Sequence, residues 1–318
     1  MRRTDLSIDS IRAKLLSGDR PVSAQALNRL KRDPRRGARL LYEVLKRKYE
    51  KERDERLRLD SMLNFERVLW KSGRRAIAGV DEAGTGPLAG PVVAAAVVFS
   101  PGTEIAGIDD SKQIDAETRS KLEAVIRRTA AGVAIGIADV GEIDDINIYQ
   151  AALLAMRRAV EALPSVPDHL LIDARTIPGV SIPQNAFSKG DGINFSIAAA
   201  SIIAKTYRDR LMEEMDQKYP GYGFMRHKGY GTPEHQEAIR RLGPSPVHRL
   251  SFGLIRELCD EFSPLFYALK RRLEEADAPA ALTGFEAAFK ESKTALEERE
   301  QRKLKIMLTR RWKTIKIS

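Results

Sequence analysis

The sequence predicts an α/β domain on three observations. Short apolar runs rich in small and β-branched residues recur, helical stretches lie between them, and acids stand where the apolar runs stop. Ala76 to Val80 leads into Asp81-Glu82 and a glycine-rich turn, and Val92 to Phe99 follows as a second strand. Gly132 to Val140 gives a third, ending near Asp139. Residues 144 to 163 then keep helical period through Ile148, Ala152, Leu153, Met156 and Val160. His169 to Ile172 is a buried-type strand that ends on Asp173. An extended piece, Ser181 to Phe187, precedes the turn Lys189-Gly190-Asp191-Gly192, and Phe195 to about Lys218 is a long helix. Acids at strand ends place the candidate site at one edge of the sheet.

Helical segments flank this core, which gives expected domains at 1–72, 73–262 and 263–318. Residues 1–72 carry no strand signal, and Pro34 and Gly37 separate an earlier helical piece from a later one. Between Asn28 and Leu59 stand 13 basic and 6 acidic residues, interleaved with Leu40, Leu41, Val44 and Leu45. That pattern fits a solvated helical hairpin packed on the main domain, with a nucleic-acid arm as the alternative. After Phe262 the chain is helical and charged, with a break at Ala278-Pro279-Ala280; Arg302 to Ser318 holds seven Lys or Arg and no acid.

The chain has 318 residues, 43% of them hydrophobic, which is enough for a real core. Its formal charge of +10 suits a polyanionic partner without requiring one. A single cysteine, Cys259, excludes an internal disulfide and fits a reducing compartment. The start, MRRTDLSIDS, is not followed by an apolar core of signal-peptide length, and Val92 to Phe99 is too short to span a bilayer. The expectation is a cytoplasmic, monomeric protein with no membrane partner.

Asp81, Glu82, Asp173 and Asp191 are each weak evidence alone, since acids commonly make turns and caps. Gathered at one end of a sheet they repel one another and need protons or cations. Oxygen ligands with no cysteine partner, in a chain with four histidines, select Mg²⁺ or Mn²⁺ over Zn²⁺. Neighbours on a regular strand point to opposite faces, so the backbone is expected to bend at Ala83-Gly84 if Asp81 and Glu82 share a site. Gly84, Gly86 and Gly90 permit that bend and a close approach of a sugar-phosphate backbone. Locally, a strand-turn-strand with one solvated acid fits equally well.

Carboxylate-held metals near basic groups suit phosphodiester hydrolysis. Candidate phosphate contacts are Lys112, Lys189, Lys205 and Lys228, and Tyr230 between Gly229 and Gly231 can stack on a sugar or base. His227, His235 and His248 lack a metal-protease spacing and are assigned to structure.

These residues resemble ribonuclease HII, the type 2 ribonuclease H family. Over about residues 62 to 262 the ordered motifs are AGVDEAGTGPLAGPVVAAAVV, DSKQI, IDDINIYQAALLAMRRAV, LLIDA, KGDGINFSIAAASIIAKTYRD, HKGYGTPEHQEAI and GPSPVHRLSF. The resemblance implies a ribonuclease H-like mixed sheet flanked by helices, with helical N- and C-terminal extensions. It implies cleavage of the RNA strand of RNA/DNA hybrids, leaving a 5′ phosphate and a 3′ hydroxyl, and incision 5′ of ribonucleotides embedded in duplex DNA. It maps the metal-binding carboxylates onto Asp81, Glu82, Asp173 and Asp191. It also maps the sugar-sensing tyrosine onto Tyr230 and the tripeptide that grips the 2′-hydroxyl and a phosphate onto Gly84 to Gly86. The family's usual tripeptide is Gly-Arg-Gly. Here it is Gly-Thr-Gly, as in the type 3 enzymes, and Thr85 lacks the guanidinium fork. The competing readings are a type 3-like enzyme preferring long hybrids and a nucleic-acid-binding protein without turnover.

Overall fold

The computed structural model describes residues 7–16, 22–259, 262–296 and 298–317. The first six residues and Ser318 lie outside the described residues, as does the Cys259 side chain. Two compact units divide at Ile255 and Arg256.

The first unit is organised by five strands: β1 (Ile77–Ala83), β2 (Val92–Phe99), β3 (Gly132–Ala138), β4 (His169–Asp173) and β5 (Gln184–Phe187). They lie in the order β3-β2-β1-β4-β5. The glycine-rich turn folds β2 back antiparallel on β1, and β3 continues antiparallel to β2. β4 runs parallel to β1, and β5 parallel to β4. The sheet is therefore mixed.

Both faces are covered, which explains why every residue of β2 is buried. Alternation sends Ala94, Ala96 and Val98 to one face, packed with Met156 and Ala159 of helix α6, Val140–Glu161 among the helices named below. Ala95, Val97 and Phe99 go to the other face, against Phe195, Ala199 and Ile203 of the long helix α7, Phe195–Lys218. Small residues let these helices come close. A Cβ on Gly79 would sit 2.0 Å from the Ser196 carbonyl carbon, and one on Gly136 would sit 2.0 Å from the Ala155 oxygen.

The remaining helices of this unit are α1 (Ile8–Leu16), α2 (Ala24–Arg32), α3 (Arg36–Met62), α4 (Asn64–Lys71) and α5 (Ala116–Thr129), then α8 (Phe224–His227) and α9 (Pro233–Leu242). α10 (Gly253–Cys259) crosses the boundary between the units. α3 begins two residues after Pro34 and contains Gly37, so the proline segment alone interrupts the helices there. A Gly37 Cβ would stand 3.3 Å from Ile8, so this glycine serves packing rather than a break.

Asp139 starts α6 with a capping box completed by Glu142. α7 is capped twice: the Asn194 side chain accepts from the Ile197 amide, and Glu66 of α4 accepts from Ser196.

The second unit holds α11 (Pro264–Glu274), α12 (Pro279–Ser292) and α13 (Glu298–Ile317). They enclose their own core of Phe266, Leu269, Leu273, Leu282, Phe285 and Leu304. Ser263 caps α11, and Pro279 opens α12 at its first turn.

Candidate active site

β1 and β4 pair in parallel as far as Val80 and Ile172, so the next residue of each strand is an acid, Asp81 and Asp173. Asp81, Glu82 and Asp173 each offer an oxygen, and those three atoms lie within 4.8 Å of one another. Asp173 is fixed by the Gly190 amide, which donates to its Oδ1 at 2.7 Å. That bond also ties the end of β4 to the turn that carries Asp191.

The bend expected at Ala83-Gly84 is not what joins Asp81 to Glu82. β1 keeps regular register with β2 through Ala83, opposite Val93. β1 leaves its pairing with β4 after Val80, and oxygens of both acids come together there with one of Asp173. Gly84, at φ +95°, turns the chain after the acids.

Burial, reinforced by Glu82 and Asp173, pushes Asp81 well above the ordinary carboxylate range. Burial and Asp173 raise Glu82 as well, against the opposing charge of Arg175. Asp191 is raised by burial, then by Asp110 and Asp173, and Lys112 opposes this from 3.7 Å. Asp191 thus feels Asp173 of the three while standing apart from their tightest cluster. Glu82 Oε2 is buried with no hydrogen-bond partner. Repelling acids with an orphaned oxygen fit a hard divalent cation, which would satisfy the oxygen and neutralise the repulsion.

The other predicted contacts fall into two groups. Tyr230 is 45% exposed, and its ring lies 3.7 Å from where a Cβ on Gly86 would stand. Thr85 and Gly86 are exposed beside it. Lys189 is exposed at φ +56°, next to the glycine that holds Asp173. Lys205 and Lys228 are instead engaged within the protein: Lys205 donates to Asp209 at 2.5 Å and Lys228 to Glu213 at 2.7 Å.

Two arginines that no motif of the sequence singles out hold the glycine loop. Arg208 and Arg249 are almost wholly buried. Arg208 donates to the carbonyls of Ala89, Pro91 and Lys228, each at 3.0 Å. Arg249 donates to Gly84 O at 2.6 Å, Thr85 O at 3.2 Å and Gly90 O at 2.7 and 2.9 Å. Gly84 must be glycine here, because a Cβ would meet the Arg208 Nε at 2.0 Å. Nothing in TYRD or VHRLSF marks these arginines as buried.

The three histidines form a buried stack behind Tyr230. His235 Nδ1 lies 2.9 Å from the Tyr230 carbonyl, so it carries the proton, and its Nε2 accepts from His248 Nε2 at 3.0 Å. His248 Nδ1 is then free to accept the Ser245 amide at 2.8 Å. His227 donates through Nε2 to Tyr222 O and accepts the Gly229 amide at Nδ1. Burial lowers all three, His235 and His248 to about 4, so the rings are neutral. Their assignment to structure matches these contacts.

Residues 78–255 match the family model described as Ribonuclease HII. The chain belongs to the ribonuclease HII family. A second model, the Ribonuclease HII N-terminal domain, matches residues 7–70. Ribonuclease HII of Myxococcus xanthus is 52% identical over 252 residues, 79% of this chain and 86% of that protein. Ribonuclease HII of Geobacter sulfurreducens is 54% identical over 194 residues, 61% of this chain and 89% of that protein. Among solved structures, the ribonuclease H2 from Pyrococcus horikoshii OT3 is similar with a TM-score of 0.51 at 27% identity, covering 57% of this chain and 96% of that one. The protein is accordingly an enzyme, a ribonuclease H, and its sheet is the ribonuclease H-like sheet that the sequence implies. Among the described residues, no helix is long and apolar enough to cross a membrane.

Proposed function

We propose that this member of the ribonuclease HII family hydrolyses the RNA strand of RNA/DNA hybrids and incises duplex DNA on the 5′ side of embedded ribonucleotides, leaving a 5′ phosphate and a 3′ hydroxyl. Asp81, Glu82, Asp173 and Asp191 would hold Mg²⁺ or Mn²⁺. The observation that carries this is the buried, unpartnered Glu82 Oε2 among three converging carboxylates.

Bound there, divalent cations supply an activated water and stabilise the leaving 3′ oxygen. The chain's own residues do the rest. Asp173, fixed by the Gly190 amide, would present its carboxylate in one orientation. Lys112 occupies the outer side of Asp191 and brings positive charge to where a phosphate approaches. The exposed Thr85-Gly86 corner and the Tyr230 ring beside it form one surface, which suits a ribose and its neighbouring phosphate. Lys189 adds charge at the opposite turn. The single cysteine accords with a cytoplasmic setting.

The test is nicking of a duplex with one embedded ribonucleotide beside a long hybrid, with Mg²⁺ or Mn²⁺ and with Asp81→Asn as control. Metal-dependent cutting of both, abolished in the control, is expected. Cutting of the long hybrid alone would remove the single-ribonucleotide part of the reading, and binding without cutting under either metal would remove the rest.

A further inference from the structure

The Gly84–Pro91 loop is built around two buried cations that lack an anionic partner. All the hydrogen bonds of Arg208 and Arg249 described above go to neutral backbone carbonyls. Among the described residues neither forms a salt bridge. Acids stand nearby, but each has other partners: Asp144 accepts from the Leu250 and Ser251 amides, and Asp209 pairs with Arg119 and Lys205. Burial, and then the charge of Arg208, push the Arg249 guanidinium down. A buried charge without a counter-charge is unfavourable unless something supplies one.

The direction of the loop's peptide groups says where that counter-charge belongs. In a trans peptide the C=O and N–H point opposite ways, and the described residues contain no cis bond. Arg249 draws in the carbonyls of Gly84 and Thr85, which belong to the same peptide planes as the amides of Thr85 and Gly86. Those two amides therefore aim away from the guanidinium. Both residues are exposed, and among the described residues neither amide has a hydrogen-bond acceptor. Two outward N–H groups with positive charge behind them make an anion seat. The loop amides that face inward are already used, Leu88 N by Gly229 O and Gly90 N by Val247 O, each at 2.8 Å.

We propose that Arg249 is a positioning residue for the nuclease reaction: it aims the Thr85 and Gly86 amides at a substrate phosphate and supplies the buried charge which that phosphate neutralises. The inference rests on the reading that the Gly84–Gly86 corner meets the nucleic-acid backbone. It assigns to the interior of the loop a positive charge that its exposed side chain, Thr85, does not provide.

The experiment measures binding of a duplex with one ribonucleotide to the full chain across a salt series, every variant carrying Asp81→Asn so that no cleavage occurs. Thermal unfolding of each variant is recorded in parallel. Arg249→Met is expected to weaken binding about tenfold at low salt and to lower the salt slope by about one. Arg249→Lys keeps the charge but cannot bridge three carbonyls, so it is expected to lose thermal stability while retaining the parent slope. Equal loss of slope in both variants means that the arginine only braces the loop, and parent-like affinity and slope in a folded Arg249→Met overturns the inference outright. If Arg249→Met does not fold, the lysine variant decides alone, since a slope lowered by about one in it is fatal to the charge role. Thr85→Asp separates this inference from the reading beneath it. Unchanged binding in Thr85→Asp removes the loop from the interface altogether; weakened binding there, with parent-like Arg249→Met, removes only the arginine's role.

Discussion

Glu66 accepts the Ser196 amide at 2.9 Å and the Ser196 hydroxyl at 2.7 Å, so an acid from the N-terminal helices caps the helix that begins just behind Asp191. Its other oxygen accepts from Asn194 Nδ2 at 3.1 Å. The capping makes α4 part of the support for the turn that carries Asp191.

Glu66→Gln tests that support. One carboxamide oxygen can still serve Ser196, but the NH₂ group then faces the Asn194 NH₂, donor against donor. The expected loss is about 1–3 kcal/mol in urea unfolding. A variant as stable as the parent would show that Asn194 alone suffices as the cap.

Asp81→Asn should abolish cleavage and yet stabilise the metal-free protein near neutral pH. The folded-state pKa of Asp81 is raised, so the folded state binds more protons than the unfolded one, and stability falls as pH rises through that pKa. Removing the charge removes this loss. Unfolding temperatures of parent and variant, in chelator and at several pH values, should diverge as pH rises and converge on acidification. A Tm for the variant at or below the parent's at pH 8 refutes the account. Mg²⁺ or Mn²⁺ should raise the parent's Tm more at pH 8 than at pH 5, because binding displaces protons.

The histidine stack gives the opposite sign. His235 and His248 are lowered to about 4 from 6.5, so the unfolded chain binds more protons between those values. Their contribution is present above about pH 6.5 and is lost as pH falls toward 4. Hydrogen exchange should show the amides of residues 222–249 losing protection at pH 4.5 before those of β1 and β2. Uniform loss across the unit would mean that the histidines are not the acid-sensitive element.

Thr85→Arg should tighten duplex binding and steepen its salt dependence if the corner meets a phosphate, since a forked guanidinium adds a charged contact. Binding isotherms across a salt series read this directly. An unchanged slope argues against a phosphate at this corner. Turnover need not rise with affinity, because tighter product binding slows release.

Much of the fold was legible because its signals are local. Val92–Phe99 and Phe195–Lys218 have the same bounds in sequence and structure, since β-branched runs and alanine-rich helical period need no distant partner to be recognised. The strand-end acids were legible for the same reason. Arg208, Arg249 and Glu66 were not. Arginine and glutamate on a helix or in a loop ordinarily read as surface charge. What buries these three are partners far along the chain: Gly90 lies 159 residues from Arg249, and Ser196 lies 130 from Glu66. Asp81 and Glu82 converge without the bend expected at Ala83-Gly84, because β1 stays in register with β2 through Ala83, a pairing that the local sequence does not display.

The loop that carries Thr85 is held by its main chain: Arg249 grips the carbonyls on either side of the Thr85 α-carbon, and the threonine side chain itself is exposed. Such a position works as a socket. Whatever side chain stands there can be exchanged without disturbing the frame, because the frame does not consult it. Position 85 is therefore where a new surface chemistry can be tried by a single substitution at little cost to the fold.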